Sequence, residues 1–404
     1  MAGLVLACAA GVAGFVVLTD GEDQAKLPRG SSTALQAARE ERVVELLDQL
    51  TDTLGHGGLE PLAATAGADQ LDAVDANVRR IGFSTLALRY VAPAEQTGQR
   101  LIPENTWVAD VQVTWQFHKY DPAESVLEVP FVVVDDGEAA RFGGISAGPP
   151  DQRVPLWLLE RLSVRKTERT LVLAGEPRRL ATLARLASRA VPAVDAVLPG
   201  WGGALVLAEP ATSADLNRAV GSDASATTQL AGVTTTVDGT VVPGGTSHVL
   251  LNPDVFDRLG PRAAQIVVSH EATHVATDGA VSAAPQWLVE GFADYVALRD
   301  SDLPVGVSAG QVLAEVRKDG PPAKLPAPAD FSGQNVNLGA RYESAWLACR
   351  LIGEEYGEQA LVAFYRRADR TGETTAAFRG VLDTSEAAFT RSWRDYLVDL
   401  ASSS

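Results

Sequence analysis

The spacing of apolar residues changes along the chain, and this change restricts the folds that the chain can adopt. Apolar residues recur with the period of an α-helix over 32–50, where Ser32 or Thr33 can cap the helix, and again over 70–80. The period then falls to two, which predicts β-strands over 83–92, 107–117, 126–135 and 140–144. Helices followed by a run of strands predict an α+β unit with a curved antiparallel sheet.

A different pattern begins near residue 170, where short strands and helices alternate. We predict strands over 170–174, 204–208 and 247–251, helices over 177–197 and 212–220, and a mainly helical region from Pro261 onward. A chain of 404 residues is also too long for one compact core. The sequence therefore predicts two folded units, over 32–168 and 169–404, and the second combines a small sheet with helices.

The N-terminal segment 1–19 is predicted to be a transmembrane anchor or a signal. Residues Ala2 to Leu18 carry no charge and no strongly polar side chain. At about 1.5 Å per residue this run reaches roughly 26 Å as a helix, close to the thickness of a bilayer core. An uncleaved anchor, a cleaved secretory signal and a lipoprotein signal ending at Cys8 stay open, and we favour the anchor. The polar segment 20–31 is then a linker to the body.

The charge and cysteine content exclude several classes of function. A net charge of −17 and a pI of about 4.8 disfavour a nucleic-acid partner, because phosphate backbones repel such a surface. The two cysteines, Cys8 and Cys349, exclude a disulfide framework and a cysteine-based zinc site.

Residues 270–274 read His-Glu-Ala-Thr-His and follow a segment that suits a helix, with Pro261 in its first turn. Residues four apart on a helix lie about 40° apart around its axis, so His270 and His274 can share one ion. Glu271 then projects close to the position of a water molecule on that ion. The pattern predicts half of a zinc site, because catalytic zinc needs a third protein ligand.

A second predicted helix over 285–298 offers that third ligand. It carries Glu290, and the turn-like segment 277–284 lets the two helices pack side by side and bring this carboxylate to the metal. Asp294 follows on the same face of the helix. There it can accept the outer N–H of a ligating imidazole, which fixes the tautomer and raises the basicity of the ligand.

The two motifs together resemble those of the gluzincin zinc metallopeptidases, which include thermolysin-like enzymes and zinc aminopeptidases. They look most like the small bacterial peptidase MA-like group. The resemblance spans roughly residues 170–400, and its specific part is 266–298. It implies a zincin fold for the second unit, with Zn²⁺ bound by His270, His274 and Glu290, Glu271 as general base and Asp294 behind the ligands. The segment 277–284 is shorter than in the well-known members. The first unit resembles a cystatin-like or nuclear-transport-factor-like cone in architecture alone.

The resemblance also implies a donor that stabilises the oxyanion, commonly a tyrosine or histidine from a later helix. We expect Tyr342, at the start of a predicted helix over 342–356, with Tyr295 and His248 as rivals. By the same analogy, strand 247–251 would be an edge strand that pairs with extended substrate. Trp287 is expected to pack beneath the site.

These observations predict a zinc-dependent peptide-bond hydrolase that acts on a peptide or protein substrate. The predicted N-terminal helix would hold it in the cell membrane by a single pass, with the body outside the cytoplasm. The alternative is an inactive peptidase-like surface protein that binds a partner or acts as a scaffold. No motif indicates a pocket for a free amine of the kind that aminopeptidases carry.

Overall fold

The computed structural model describes residues 29–94, 105–149, 151–222, 227–331 and 337–403. Helices make up 52% and strands 19%, which confirms the predicted α+β class. The predicted anchor or signal over 1–19 and most of the linker over 20–31 lie outside the described residues. Among the described residues, no helix combines the length and the apolar character needed to cross a bilayer.

The first unit consists of two helices packed against a four-stranded sheet. The helices are α1 (Arg29–Thr53) and α2 (Ala68–Ile81), and the strands are β1 (Phe83–Pro93), β2 (Thr106–Phe117), β3 (Ser125–Asp135) and β4 (Ala140–Ile145). The strands pair antiparallel in chain order. Alternate residues of β2 are buried from Ala109 to Phe117, so one face of the sheet forms a core with the helices. These elements confirm the predicted helices and strands; the likeness to a cone stays a prediction.

The second unit contains a mixed five-stranded sheet. Its strands are β5 (Ser163–Lys166), β6 (Thr170–Ala174), β7 (Leu205–Glu209), β8 (Gly232–Thr236) and β9 (Ser247–Leu251). The strand order is β5-β6-β7-β9-β8, in which the central three are parallel and the two outer strands run antiparallel to their neighbours. Two of these strands, β5 and β8, were not predicted. The prediction that 247–251 is an edge strand is wrong, because β9 lies between β7 and β8.

The remaining helices lie before, between and after strands of the second sheet. They are α3 (Leu156–Leu159), α4 (Leu180–Val197), α5 (Ser213–Val220), α6 (Pro253–Phe256), α7 (Pro261–Ala276), α8 (Gln286–Leu298), α9 (Val305–Ser308), α10 (Gly310–Asp319), α11 (Leu338–Tyr356), α12 (Glu358–Thr371), α13 (Thr375–Val381) and α14 (Glu386–Ser403). Helix α3 precedes β5, α4 and α5 lie between strands of the second sheet, and the rest follow β9. Helix α7 packs against α4 and α8, and α8 packs against α11. The helix predicted over 342–356 corresponds to α11, which begins earlier than expected, at Leu338.

Both faces of the second sheet are buried, and each faces a different core. Val172, Leu207 and Val249 pack with the helices of the second unit. Residues of opposite orientation on the same strands pack with the first unit, among them Leu173 and Leu250. This arrangement explains why β6 and β7 are buried at every position and read as continuous apolar runs. The predicted division after residue 168 stays a prediction, although β5 already belongs to the second sheet.

Candidate metal centre

The two histidines of the His-Glu-x-x-His motif lie one turn apart on α7. This helix begins at Pro261, whose fixed backbone angle suits the first helical turn, and it ends at Ala276. The Nε2 atoms of His270 and His274 approach to 2.9 Å, and the residues are only 0% and 1% exposed. The helix therefore presents both imidazoles toward one buried point, as their spacing predicts.

Helix α8 brings a carboxylate to the same point. The Oε2 atom of Glu290 lies 3.3 Å from Nε2 of His270 and 3.4 Å from Nε2 of His274, and Glu290 is 1% exposed. One donor atom from each of the three residues lies within 4.8 Å of the others. The connecting segment contains a short 3-10 helix, Gly279–Val281, where a turn was predicted.

The Glu290 carboxylate lacks well-placed hydrogen-bond donors within the described part of the protein. Among the residues that the structure describes, none donates a hydrogen bond of good geometry to either of its oxygen atoms, although both are buried. A buried carboxylate without donors is costly, whereas a cation bound between it and the two imidazoles would remove that cost. The residues therefore fit a metal ion, and this buried group could hold one.

Asp294 supports the site from behind His270. Its Oδ1 atom lies 2.7 Å from Nδ1 of His270, which leaves Nε2 of that ring directed at the common point. Burial lowers the pKa of the His270 imidazole, but Asp294, with Glu290 and Glu271, outweighs burial and raises that pKa well above its ordinary value. Burial likewise opposes ionisation of Glu290, yet the two imidazoles lower its pKa to about 2. The charges thus favour an ionised Glu290 and a strongly basic His270.

Glu271 follows the candidate ligand His270 on α7, is 2% exposed and contributes to the raised pKa of that histidine. The Thr234 hydroxyl lies 2.7 Å from its Oε2 atom and 3.1 Å from its carbonyl oxygen. Thr234 belongs to β8, the edge strand that the sequence analysis missed. A Val-Thr-Thr-Thr run is a signal for a strand, but the segment is short and turn residues follow it.

Tyr342 lies close to the candidate ligands, while its two rivals lie elsewhere. The Tyr342 ring centroid is 6.5 Å from that of His270, and the ring packs edge-on against Phe331. The Tyr295 hydroxyl instead donates to Glu358 at 3.1 Å. His248 is bonded to Asp121 of the first unit at 2.8 Å. Of these three candidates, Tyr342 is thus the one with a ring contact to a candidate ligand, whereas the polar groups of the two rivals are bonded to other residues.

Two glycines next to the site allow close contacts that a larger residue would block. A Cβ atom at Gly291 would lie 2.4 Å from the carbonyl oxygen of Ala345 and 2.9 Å from the sulfur of Cys349, both on α11. A Cβ atom at Gly279 would lie 2.5 Å from Nδ1 of His274. Gly291 therefore lets α8 approach the helix that carries Tyr342. Trp287 lies near Phe364 in the core, as expected of a packing residue.

No model of a known protein family matches the sequence of this chain, and no curated protein matches it either.

Proposed function

We propose that this protein is a zinc-dependent peptide-bond hydrolase of the gluzincin type. The observation that carries the proposal is the convergence of His270, His274 and Glu290 on one buried point, with Glu271 next to His270 on the same helix. Two imidazoles and one carboxylate are a donor set that suits catalytic zinc, since three protein ligands leave a coordination position open. The resemblance of the two motifs to the gluzincins supports the same choice of metal.

Each polar residue near the metal position has a role in this proposal. Zinc held there would supply electrophilic activation of a carbonyl group and of a water molecule. Glu271 takes a proton from the attacking water and delivers it to the leaving amine. The Tyr342 hydroxyl donates a hydrogen bond to the oxyanion that develops on the substrate carbonyl. Asp294 holds the tautomer and orientation of His270 through its 2.7 Å contact with Nδ1.

The proposal extends to location and partners. We infer a single-pass anchor over 1–19 from the apolar run Ala2 to Leu18, and a body outside the cytoplasm. The substrate is then a peptide or a protein that reaches the outer face of the membrane. The net charge of −17 supports the absence of nucleic acid among the partners.

The test compares the wild type with Glu271→Gln. Purified wild-type protein should bind about one zinc ion per chain and cleave a mixed peptide library only when zinc is present. The Glu271→Gln variant should bind the same amount of zinc and lose at least about 100-fold in turnover, because the general base is gone. Metal analysis and a mass-spectrometric cleavage assay measure the two quantities.

Two outcomes would contradict the proposal. Turnover equal in Glu271→Gln and wild type would remove Glu271 as the base. Zinc binding without cleavage in the wild type would favour the alternative, an inactive peptidase-like protein that binds a partner or acts as a scaffold.

A further inference from the structure

A buried threonine on the edge strand contacts the carboxylate that acts as general base in the proposed reaction. The Oγ1 atom of Thr234 lies 2.7 Å from Oε2 of Glu271, and Thr234 is 2% exposed. The same hydroxyl lies 3.1 Å from the carbonyl oxygen of Glu271. A hydroxyl has one proton to donate, and the carboxylate oxygen is the closer of its two acceptors. The contact therefore favours donation to the carboxylate.

Strand β8 places the Thr234 side chain on the side of the sheet that faces α7. Val233 belongs to the core shared with the first unit, and side chains alternate along a strand, so Thr234 faces α7. At Gly232, a Cβ atom would lie 3.3 Å from Cγ of Glu271, so the backbone of β8 itself runs close to the base. Thr234 and Glu271 therefore meet between the sheet and α7.

The position of β8 is fixed from the other side of the sheet. Arg153 donates from Nη1 to the carbonyl oxygen of Thr236 at 2.8 Å and to the hydroxyl of Thr235 at 3.3 Å. On the neighbouring strand, His248 is bonded to Asp121 at 2.8 Å and stacks on the ring of Phe117. These contacts hold the β8–β9 pair against the first unit, so the Thr234 hydroxyl is held in place before substrate binds.

We propose that Thr234 is a positioning residue for Glu271. It acts by holding the carboxylate oriented toward the position of the attacking water. This inference rests on the proposed function, since it assigns a supporting role to the general base. Without the hydroxyl, the carboxylate would adopt rotamers that do not reach the water, and turnover would fall while metal binding would not.

Two substitutions at Thr234 and one control test the role. Thr234→Val keeps the shape and removes the hydroxyl, and Thr234→Ser keeps the hydroxyl. Thr246→Val is the matched control, because Thr246 is also buried and donates from its hydroxyl to the carbonyl oxygen of Ala123 at 2.8 Å. It removes one buried hydroxyl that contacts the first unit instead of Glu271.

The expected result is a loss confined to turnover. A hydrogen bond to a charged group implies that Thr234→Val lowers kcat by about 10-fold to 100-fold, with KM within about twofold and zinc content unchanged. Thr234→Ser should recover most of kcat, and Thr246→Val should keep kcat within about twofold of wild type. Wild-type kcat in Thr234→Val, or equal losses in Thr234→Val and Thr246→Val, would overturn the inference and leave the proposed hydrolysis standing.

Crystal structures of the zinc-loaded wild type and Thr234→Val supply a readout that does not need activity. The inference predicts that the Glu271 carboxylate leaves its wild-type position in the variant. An unmoved carboxylate would overturn the positioning role. Failure of the proposed function would show itself separately, as a wild type that binds zinc and cleaves nothing.

Discussion

The candidate site gathers more acidic than basic side chains in a buried space. Glu271, Glu290 and Asp294 surround the two imidazoles, and all five residues are at most 9% exposed. Charges removed from water are stable only when they are compensated by partners. One sign of this compensation is that Asp294 and the other carboxylates raise the pKa of His270 against the effect of burial. A divalent cation would compensate the same carboxylates more completely, because it carries two charges.

The contact between Asp294 and His270 leads to a prediction about metal affinity. Asp294→Ala should weaken zinc binding by about 10-fold to 100-fold, because His270 loses the partner that fixes its tautomer and increases its basicity. Competition with a chromophoric chelator measures the dissociation constant. Asp300→Ala is the control, since Asp300 follows the same helix and its side chain is 77% exposed. Equal affinity in Asp294→Ala and wild type would contradict the supporting role of Asp294.

At the level of elements, the site depends on how closely α8 and α11 pack. Gly291 follows the candidate ligand Glu290, and a Cβ atom there would lie 2.4 Å from the backbone oxygen of Ala345. Ala345 is on α11, close in sequence to Tyr342. The small size of Gly291 therefore allows close packing of α8, which carries the candidate ligand Glu290, against α11, which carries the proposed oxyanion donor Tyr342.

Gly291→Ala should destabilise the protein by about 1–3 kcal/mol, because the added methyl group forces two packed helices apart. Urea unfolding followed by circular dichroism measures the change in the free energy of unfolding. Gly310→Ala is the matched control, since Gly310 opens α10 and a Cβ atom there would meet no atom of the described part of the chain within 4 Å. A Gly291→Ala variant as stable as Gly310→Ala would show that the two helices can separate without cost.

The elements with a clear run or period of apolar residues were predictable from the sequence, and those without one were not. The strand over 170–174 and the helices of the His-Glu-x-x-His region have such a pattern and were placed within a few residues. Strands β5 and β8 have no apolar run, because β5 ends in Arg165-Lys166 and β8 consists mostly of threonine. The start of α11 was placed at Tyr342 instead of Leu338, because Leu338-Gly339-Ala340 carries no clear N-terminal signal.

The order of the strands in the second sheet could not be predicted from the local sequence pattern. An edge strand and an interior strand can have the same sequence pattern when both faces of the sheet are buried, and β9 is buried at all but its first position. Its place between β7 and β8 follows from pairing with residues distant in the chain. At the site, the spacing of residues in the sequence indicated the candidate ligands and Asp294. The contact of Thr234 with Glu271 depends on the strand order and was therefore not predicted.

On the scale of the whole molecule, the two sheets share one core. Apolar side chains of β6, β7, β8 and β9 pack together with those of the first unit. Polar contacts cross the same boundary, such as the hydroxyl of Tyr120 donating to the carbonyl oxygen of Thr167 at 2.7 Å. The first unit therefore supports the second sheet from the side opposite to α7. The edge strand β8, which lies beside Glu271, depends on both units for its position.

Zinc K-edge X-ray absorption of the protein loaded with one equivalent of zinc tests the central claim most directly. The account predicts nitrogen and oxygen neighbours at about 2.0–2.2 Å and the outer-shell scattering of two imidazoles. The chain has five histidines, so the number of imidazoles is informative. A sulfur neighbour at about 2.3 Å, scattering from three or more imidazoles, or a protein that retains no zinc would contradict the metal site.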